Sequence, residues 1–326
     1  MQPFSYARAE TAADVVSALS DGARILAGGT TLYDLMKLNV ERPARIVDIS
    51  SLALTDIRAQ SGTLVLGALA RMSDAAEHDL LRGEFPALRE ALLLAASQQL
   101  RNMATLGGNL MQRTRCSYFR HGEPYACNKR RPGSGCSALE GLNRTHALFG
   151  GSDACIAVYP GDFATALVAF DAEIDVLGPG GARRMPLASL HREPGDSPEQ
   201  DTNLASDDFI TAIRVPRSNA ARVSTYHKIR DRESYAFALV SAAVGLDLDG
   251  DIVRDARISL GGVATRPWRA TEAERILVGR ALNEATAAEA GAAAFAGAST
   301  TNHNAFKIAL GAHTVADALM IAKSRI

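Results

Sequence analysis

The spacing of hydrophobic positions changes character three times along the chain. Between Pro3 and Asp48, short apolar runs alternate with stripes of helical period. That pattern predicts a small β-α-β-α-β unit, with strands at Pro3–Tyr6, Arg24–Ala27 and Arg45–Asp48 and helices at Thr11–Leu19 and Leu32–Leu38. Thr11 is placed to cap the first helix, Gly22 to end it, and Thr30 or Thr31 to cap the second. From about Ile57 to Arg217 the pattern predicts a larger unit. Its strands are expected at Thr63–Leu66, Ala154–Tyr159, Glu173–Leu177 and Phe209–Val215, its helices at Ala87–Ser97 and Asp162–Phe170. His191–Ser206, acidic with Pro and Asp, is expected as a surface loop. From about Ala221, long alternating strands come first, at Val223–Arg230, Ala236–Leu248 and Ile252–Gly261, with Asp249-Gly250 as a hairpin turn. Three helices follow, at Thr271–Arg280, Asn283–Gly297 and His303–Lys323. The class is α+β, divided at 1–55, 56–218 and 219–326, the last unit carrying a three-stranded antiparallel sheet and helices.

Composition narrows the function. Apolar residues make up 47% of the chain and charged residues 22%, as in ordinary globular proteins. A net charge of −1 offers no field for nucleic acid. No apolar run is long enough for a membrane span, and Ala281–Ala298 is interrupted by Glu and Asn. Met1–Tyr6 lacks a basic and then apolar leader, so the chain is not expected to carry an export signal of its own.

All four cysteines fall within 40 residues: Cys116, Cys127, Cys136 and Cys155. The gaps between them are wide, with no C-x-x-C pair such as zinc knuckles use. Wide gaps suit thiolates that converge from separate loop positions on a cubane iron–sulfur cluster. The surrounding segment, about 112–156, is rich in Gly, Pro, Arg and Asn and poor in aliphatic residues, so a bound group would organise it. A structural zinc, two disulfides or four unrelated buried thiols are the competing explanations. Arg113, Arg115, Arg120, Lys129, Arg130 and Arg131 lie in the same window. They form either a solvated loop or a field that holds thiolates deprotonated, and the second is expected. His121 and His146 also lie there, and with four cysteines present neither is expected as a ligand.

Two doubled-glycine turns recur some eighty residues apart. Leu26-Ala27-Gly28-Gly29-Thr30-Thr31-Leu32 joins a strand to a helix, where successive backbone N–H groups can nest a phosphate. Ala104-Thr105-Leu106-Gly107-Gly108-Asn109-Leu110 repeats the design. Either turn alone is equally a plain helix cap; together they are placed to grip one extended dinucleotide. Neither is a G-x-G-x-x-G, so a Rossmann site is not supported. Asp162 after Pro160-Gly161 is an N-cap or an acceptor for a ribityl hydroxyl, and Lys228 a solvent-facing strand residue or a cation near a flavin. No nucleophile–base set stands out, which leaves any chemistry to cofactors.

These motifs, with Leu260-Gly261-Gly262-Val263-Ala264-Thr265-Arg266-Pro267-Trp268 near the end, resemble the FAD-binding subunits of molybdenum hydroxylases, in order and from end to end. The resemblance implies a two-part, vanillyl-alcohol-oxidase-type (PCMH-like) FAD domain followed by a C-terminal α+β domain. It implies FAD contacts at Leu26, Ala27, Gly28, Gly29, Thr30, Thr31, Leu32, Ala104, Thr105, Gly107, Gly108, Asn109, Asp162, Ile210 and Lys228. Many relatives have Ser where Gly161 stands, so one cofactor contact of the family is not expected here. The cysteine segment is similar to that of periplasmic aldehyde oxidoreductase FAD subunits, where it carries a 4Fe–4S cluster. By that likeness Cys116, Cys127, Cys136 and Cys155 are its ligands. The implied partners are a large molybdopterin subunit, a small subunit with 2Fe–2S clusters, and an external electron acceptor. The alternatives are another molybdenum hydroxylase, of xanthine dehydrogenase or hydroxybenzoyl-CoA reductase type, a stand-alone FAD reductase, or a zinc-stapled module without catalysis. The compartment stays open, because relatives can leave the cytoplasm folded on a partner's signal.

Overall fold

The computed structural model describes all residues from Met1 to Ile326. Three sheets organise it. The first is parallel, in the order β1 (Ser5–Arg8), β3 (Arg45–Asp48), β2 (Arg24–Leu26). The helix Ala12–Ser20 is fixed at its start by a capping box, in which the Thr11 side chain accepts from the Asp14 N–H and Asp14 accepts from the Thr11 N–H. Its apolar face, Val15 and Leu19, packs with Val47 and Ile49 against Leu69 and Phe209 of the next unit. The small N-terminal unit is therefore seated on the larger one.

The second sheet is antiparallel, in the order β4 (Ile57–Gln60), β5 (Thr63–Gly67), β8 (Phe209–Pro216), β6 (Glu173–Gly178), β7 (Gly181–Pro186). The helices Pro86–Leu93 and Asp162–Ala169 cover its inner face, and Leu66, Leu88, Phe163, Leu167 and Ile213 form a dry core between the layers. The sequence pattern missed β4 and β7, both edge strands. The residues of β7 are largely exposed, so no apolar alternation marks them.

The third sheet runs β12 (Trp268–Arg269), β11 (Ile252–Gly261), β10 (Val240–Asp249), β9 (Ser224–Ile229). The hairpin lies at Asp249-Gly250 as expected, with Gly250 at φ 58°. The sheet has four strands, not three. The pair Trp268–Arg269 extends it through Leu260↔Trp268, a bridge too short to show as periodicity. Helices Thr271–Leu277, Glu284–Ala294 and Phe306–Lys323 close this unit, and none of the chain's helices is long and apolar enough to cross a membrane. The first sheet ends at Asp48 and the second begins at Ile57; the second ends at Pro216 and the third begins at Ser224.

One expected strand is absent. Ala154–Tyr159 is a buried loop whose polar groups go to scattered partners: Ile156 O accepts from Ala147 N–H, Tyr159 N–H donates to Ala264 O, and Val158 O accepts from Thr114 Oγ1. Its apolar residues are buried by neighbouring segments, so the run mimics a strand without a ladder.

Candidate cofactor site

A cavity of about 380 Å³ lies between the N-terminal unit and the second sheet. The strand β2 delivers the first glycine turn to one wall. Gly29 takes φ +73°, a conformation open to glycine at no steric cost. Gly28 meets the other turn directly, because a Cβ built on it would stand 2.0 Å from the carbonyl oxygen of Met103 and 3.0 Å from Ala104 Cα. The N–H groups of Gly28, Gly29, Thr30 and Thr31 donate to no protein acceptor, and all four residues line the cavity. Four successive free donors ahead of the helix Leu32–Lys37 form a nest suited to an anionic group.

The second turn forms the facing wall. Thr105 caps the short helix Leu106–Leu110 by accepting from the Gly108 N–H at 3.2 Å. The Gly107 N–H donates to Ala68 O at 2.8 Å, which pins the turn to the end of β5. Here the donors are used internally, so this turn supplies a close backbone surface rather than a second nest.

Of the residues expected from sequence, Ala27, Gly28, Gly29, Thr30, Thr31, Leu32, Thr105, Gly107, Gly108 and Ile210 line this one cavity. Leu26 ends β2 behind it, and Ala104 lies against Gly28. Asn109 does not line it; its Nδ2 points at Met72 Sδ and its Oδ1 is buried without a partner. Asp162 and Lys228 lie elsewhere, bound to one another at 2.8 Å with both side chains almost fully buried. Asp162 also accepts from Tyr226 Oη at 2.6 Å, and Lys228 Nζ donates to Leu94 O at 3.0 Å. Burial pushes the Asp162 carboxyl up and Lys228 opposes that shift. Asp162, Tyr226 and Ser241 line a second cavity of about 250 Å³, which shares Thr114 and Val158 with the first. Lys228 is thus no solvent-facing strand residue. Tyr226, missed from sequence, completes its network, and the alternation of β9 gave no sign that its polar residues point inward.

The charged rim also differs from expectation. Arg113 bridges Glu41 and Asp201, each at 2.6 Å, and Lys129 Nζ lies 2.6 Å from Asp201. Burial raises the Asp201 carboxyl, but Lys129 and Arg113 outweigh it and hold the group below its usual range. Arg115 and Arg120 share Asp34, and Arg130 donates to the carbonyls of Tyr118, Phe119, Gly122 and Tyr125. Most of the basic excess is therefore matched by acids or carbonyls. Burial pushes Cys116 up to about 12 and raises Cys155, and Lys129 acts against the shift at Cys155.

Cys116, Cys127, Cys136 and Cys155 are all free thiols. All four line one small cavity, together with Phe119, Ala126, Ala138, Ala154 and Ala157. Cys127 and Cys136 face each other across an antiparallel bridge. No three His, Cys, Asp or Glu side chains close on a point that would hold a single metal ion. His146 Nε2 lies 3.3 Å from Cys116 Sγ, a contact that sequence reasoning did not find because the two residues lie thirty apart in the chain.

Residues 2–218 match the FAD binding domain in molybdopterin dehydrogenase, and residues 224–319 the CO dehydrogenase flavoprotein C-terminal domain. The chain belongs to the FAD-binding subunits of the molybdenum hydroxylases. It is 42% identical to the aldehyde oxidoreductase FAD-binding subunit of Escherichia coli strain K12, over 100% of both chains. It is 27% identical to the glyceraldehyde dehydrogenase medium chain of Sulfolobus acidocaldarius, over 86% of this chain and 83% of that one. Among solved structures, a chain of the reconstituted CO dehydrogenase from Oligotropha carboxidovorans superposes with a TM-score of 0.77 at 26% identity, covering 100% of each. These relatives are named as oxidoreductase or dehydrogenase subunits, and this chain is an oxidoreductase flavin subunit of the same family. The two-part FAD domain and the C-terminal domain expected from the sequence are both present.

Proposed function

We propose that this chain is the FAD- and 4Fe–4S-carrying electron-transfer subunit of a molybdenum-dependent aldehyde oxidoreductase. The carrying observation is the full-length identity of 42% to an aldehyde oxidoreductase subunit, against 28% for the carbon monoxide and xanthine dehydrogenase subunits. The partners proposed are a large molybdopterin-binding subunit and a small 2Fe–2S subunit, with an external electron acceptor.

FAD, when bound, exchanges electrons singly or in pairs, which is the chemistry such a subunit needs. The free N–H groups of Gly28, Gly29, Thr30 and Thr31 would hold its pyrophosphate. Thr105, Gly107 and Gly108 would close over it from the other side, with Ile210 as an apolar wall. The absence of side chains at Gly28 and Gly107 lets backbone come close, since a Cβ at Gly107 would stand 3.0 Å from Ala68 Cβ. Asp162 would act from the second cavity, and Lys228 through Asp162, fixing its charge and orientation.

The cluster reading rests on the thiols. A cubane takes one thiolate per iron, so its four sulfurs stand further apart than the ligands of one ion. Four free cysteines line one cavity, one thiol available for each iron of a cubane. The test is an absorption spectrum of the purified protein, with flavin, iron and acid-labile sulfide quantified. Flavin bands over a broad absorbance, with about four irons per flavin, are expected. Flavin with one zinc and no iron would remove the iron–sulfur part and leave the flavin subunit standing.

A further inference from the structure

We propose that His146 tunes the group held by the cysteines, by donating its Nε2–H to Cys116 Sγ, and that Lys307 and Asn304 are the positioning residues that keep it there. This rests on the cluster reading above.

The contact is 3.3 Å, within reach of an N–H···S hydrogen bond, and the His146 ring is buried. Its other nitrogen, Nδ1, is buried with no partner. Lys307, with no exposed surface, lies against the same residue: its Nζ donates to His146 O at 3.1 Å and Gly262 O at 2.6 Å. The ring carries at least one proton on nitrogen, whatever its charge. On Nδ1 that proton would face no acceptor, whereas on Nε2 it faces sulfur. The remaining cost is one bare lone pair, which is smaller than a lost donor on a buried polar ring.

The histidine is held by backbone ties from the C-terminal domain. Asn304 Nδ2 donates to Ala147 O at 3.2 Å and His146 O at 3.4 Å. Asn143 Oδ1 accepts from the His303 N–H at 3.0 Å, and His146 N–H donates to Asn143 O at 3.0 Å. Asn143, Asn304 and Lys307 are all fully buried. Two buried polar side chains, Asn304 and Lys307, directed at one loop make a mount for it, and His146 makes that loop's side-chain hydrogen bond to a cysteine sulfur. Backbone donors reach the sulfurs as well, the Ala157 N–H at Cys155 Sγ at 3.5 Å and those of Tyr118 and Phe119 at Cys116. A hydrogen bond to a ligand sulfur stabilises the more negative, reduced state and raises the reduction potential.

The experiment is a potentiometric EPR titration of the assembled complex, with iron and sulfide counted for each variant. His146→Phe is expected to keep its iron and show a lower cluster midpoint potential. His146→Gln, which returns an N–H near the Nε2 position, is expected to shift the midpoint back toward wild type. Lys307→Met is expected to move it in the same direction as His146→Phe. Pulsed EPR of the reduced wild type is expected to show an exchangeable proton coupling that disappears in deuterium oxide and in His146→Phe. An unchanged midpoint in iron-replete His146→Phe overturns the proposal. So does loss of iron from that variant, which would make the histidine a ligand or a structural prop. An iron-free wild type sinks the cluster reading, and this inference with it. The wild-type iron count tells the two failures apart.

Discussion

Gly28 stands against Met103 so closely that a Cβ on Gly28 would lie 2.0 Å from the Met103 carbonyl oxygen. The two glycine turns, some eighty residues apart in sequence, therefore touch backbone to backbone at the cavity wall. Gly28→Ala must force them apart, because a carbonyl oxygen fixed in a turn cannot move aside as a side-chain tip can. Overpacking of this kind costs about 1–3 kcal/mol, so FAD affinity is expected to fall roughly tenfold or more. Gly180→Ala, at a glycine that likewise has no positive φ but has open space around it, controls for the added methyl alone. Flavin per chain, measured by absorbance after dialysis and by FAD titration, reads the difference. Full flavin in Gly28→Ala would show that the turns need not meet.

The Asp162–Lys228 pair makes a stability prediction. Lys228→Met leaves the Asp162 carboxylate buried with only Tyr226 as a partner. Loss of one member of a buried pair costs about 3–5 kcal/mol. The double variant Lys228→Met with Asp162→Asn removes both charges and is expected to recover part of that loss. Urea unfolding of the three proteins checks the order, and a double variant less stable than Lys228→Met contradicts it.

His191 predicts acid sensitivity. Its ring is buried against Tyr159, with centroids 4.1 Å apart, and Nε2 is 2.9 Å from Leu110 O. Burial lowers its pKa to about 4 from the ordinary 6.5. Between those values the unfolded chain takes up a proton that the folded chain refuses. The stability due to this group is thus complete above about pH 6.5 and is lost as the pH falls toward about 4. The loss is at most about 3 kcal/mol. Comparison of wild type with His191→Phe by denaturation across that window should show the steeper pH slope only in wild type. Parallel slopes would assign the acid lability to other groups.

Cys127→Ser is expected to remove iron while leaving flavin in place, because the cysteine cavity is separate from the glycine-turn cavity apart from shared residues at Lys129, Cys155 and Ala157. The segment 112–156 should then become more open to proteolysis, since it has little apolar core of its own. If iron is lost and activity with every acceptor is unchanged in a stable protein, the cluster lies outside the electron path.

The sequence by itself determined the local units and their order. Capping residues, hairpin glycines and apolar periods act over a few residues, so Thr11, Gly29 and Gly250 announce their turns without reference to the rest of the chain. The two glycine turns and the clustered cysteines were legible for the same reason. Tertiary structure decided which of these features meet, because hydrogen bonds and burial between distant segments leave no period in the sequence. It brought Gly28 to Met103, turned Lys228 inward onto Asp162, matched Arg113 and Lys129 with Asp201, and set His146 on Cys116. It also made a loop of Ala154–Tyr159, whose apolar residues are buried by neighbours rather than by a strand of their own.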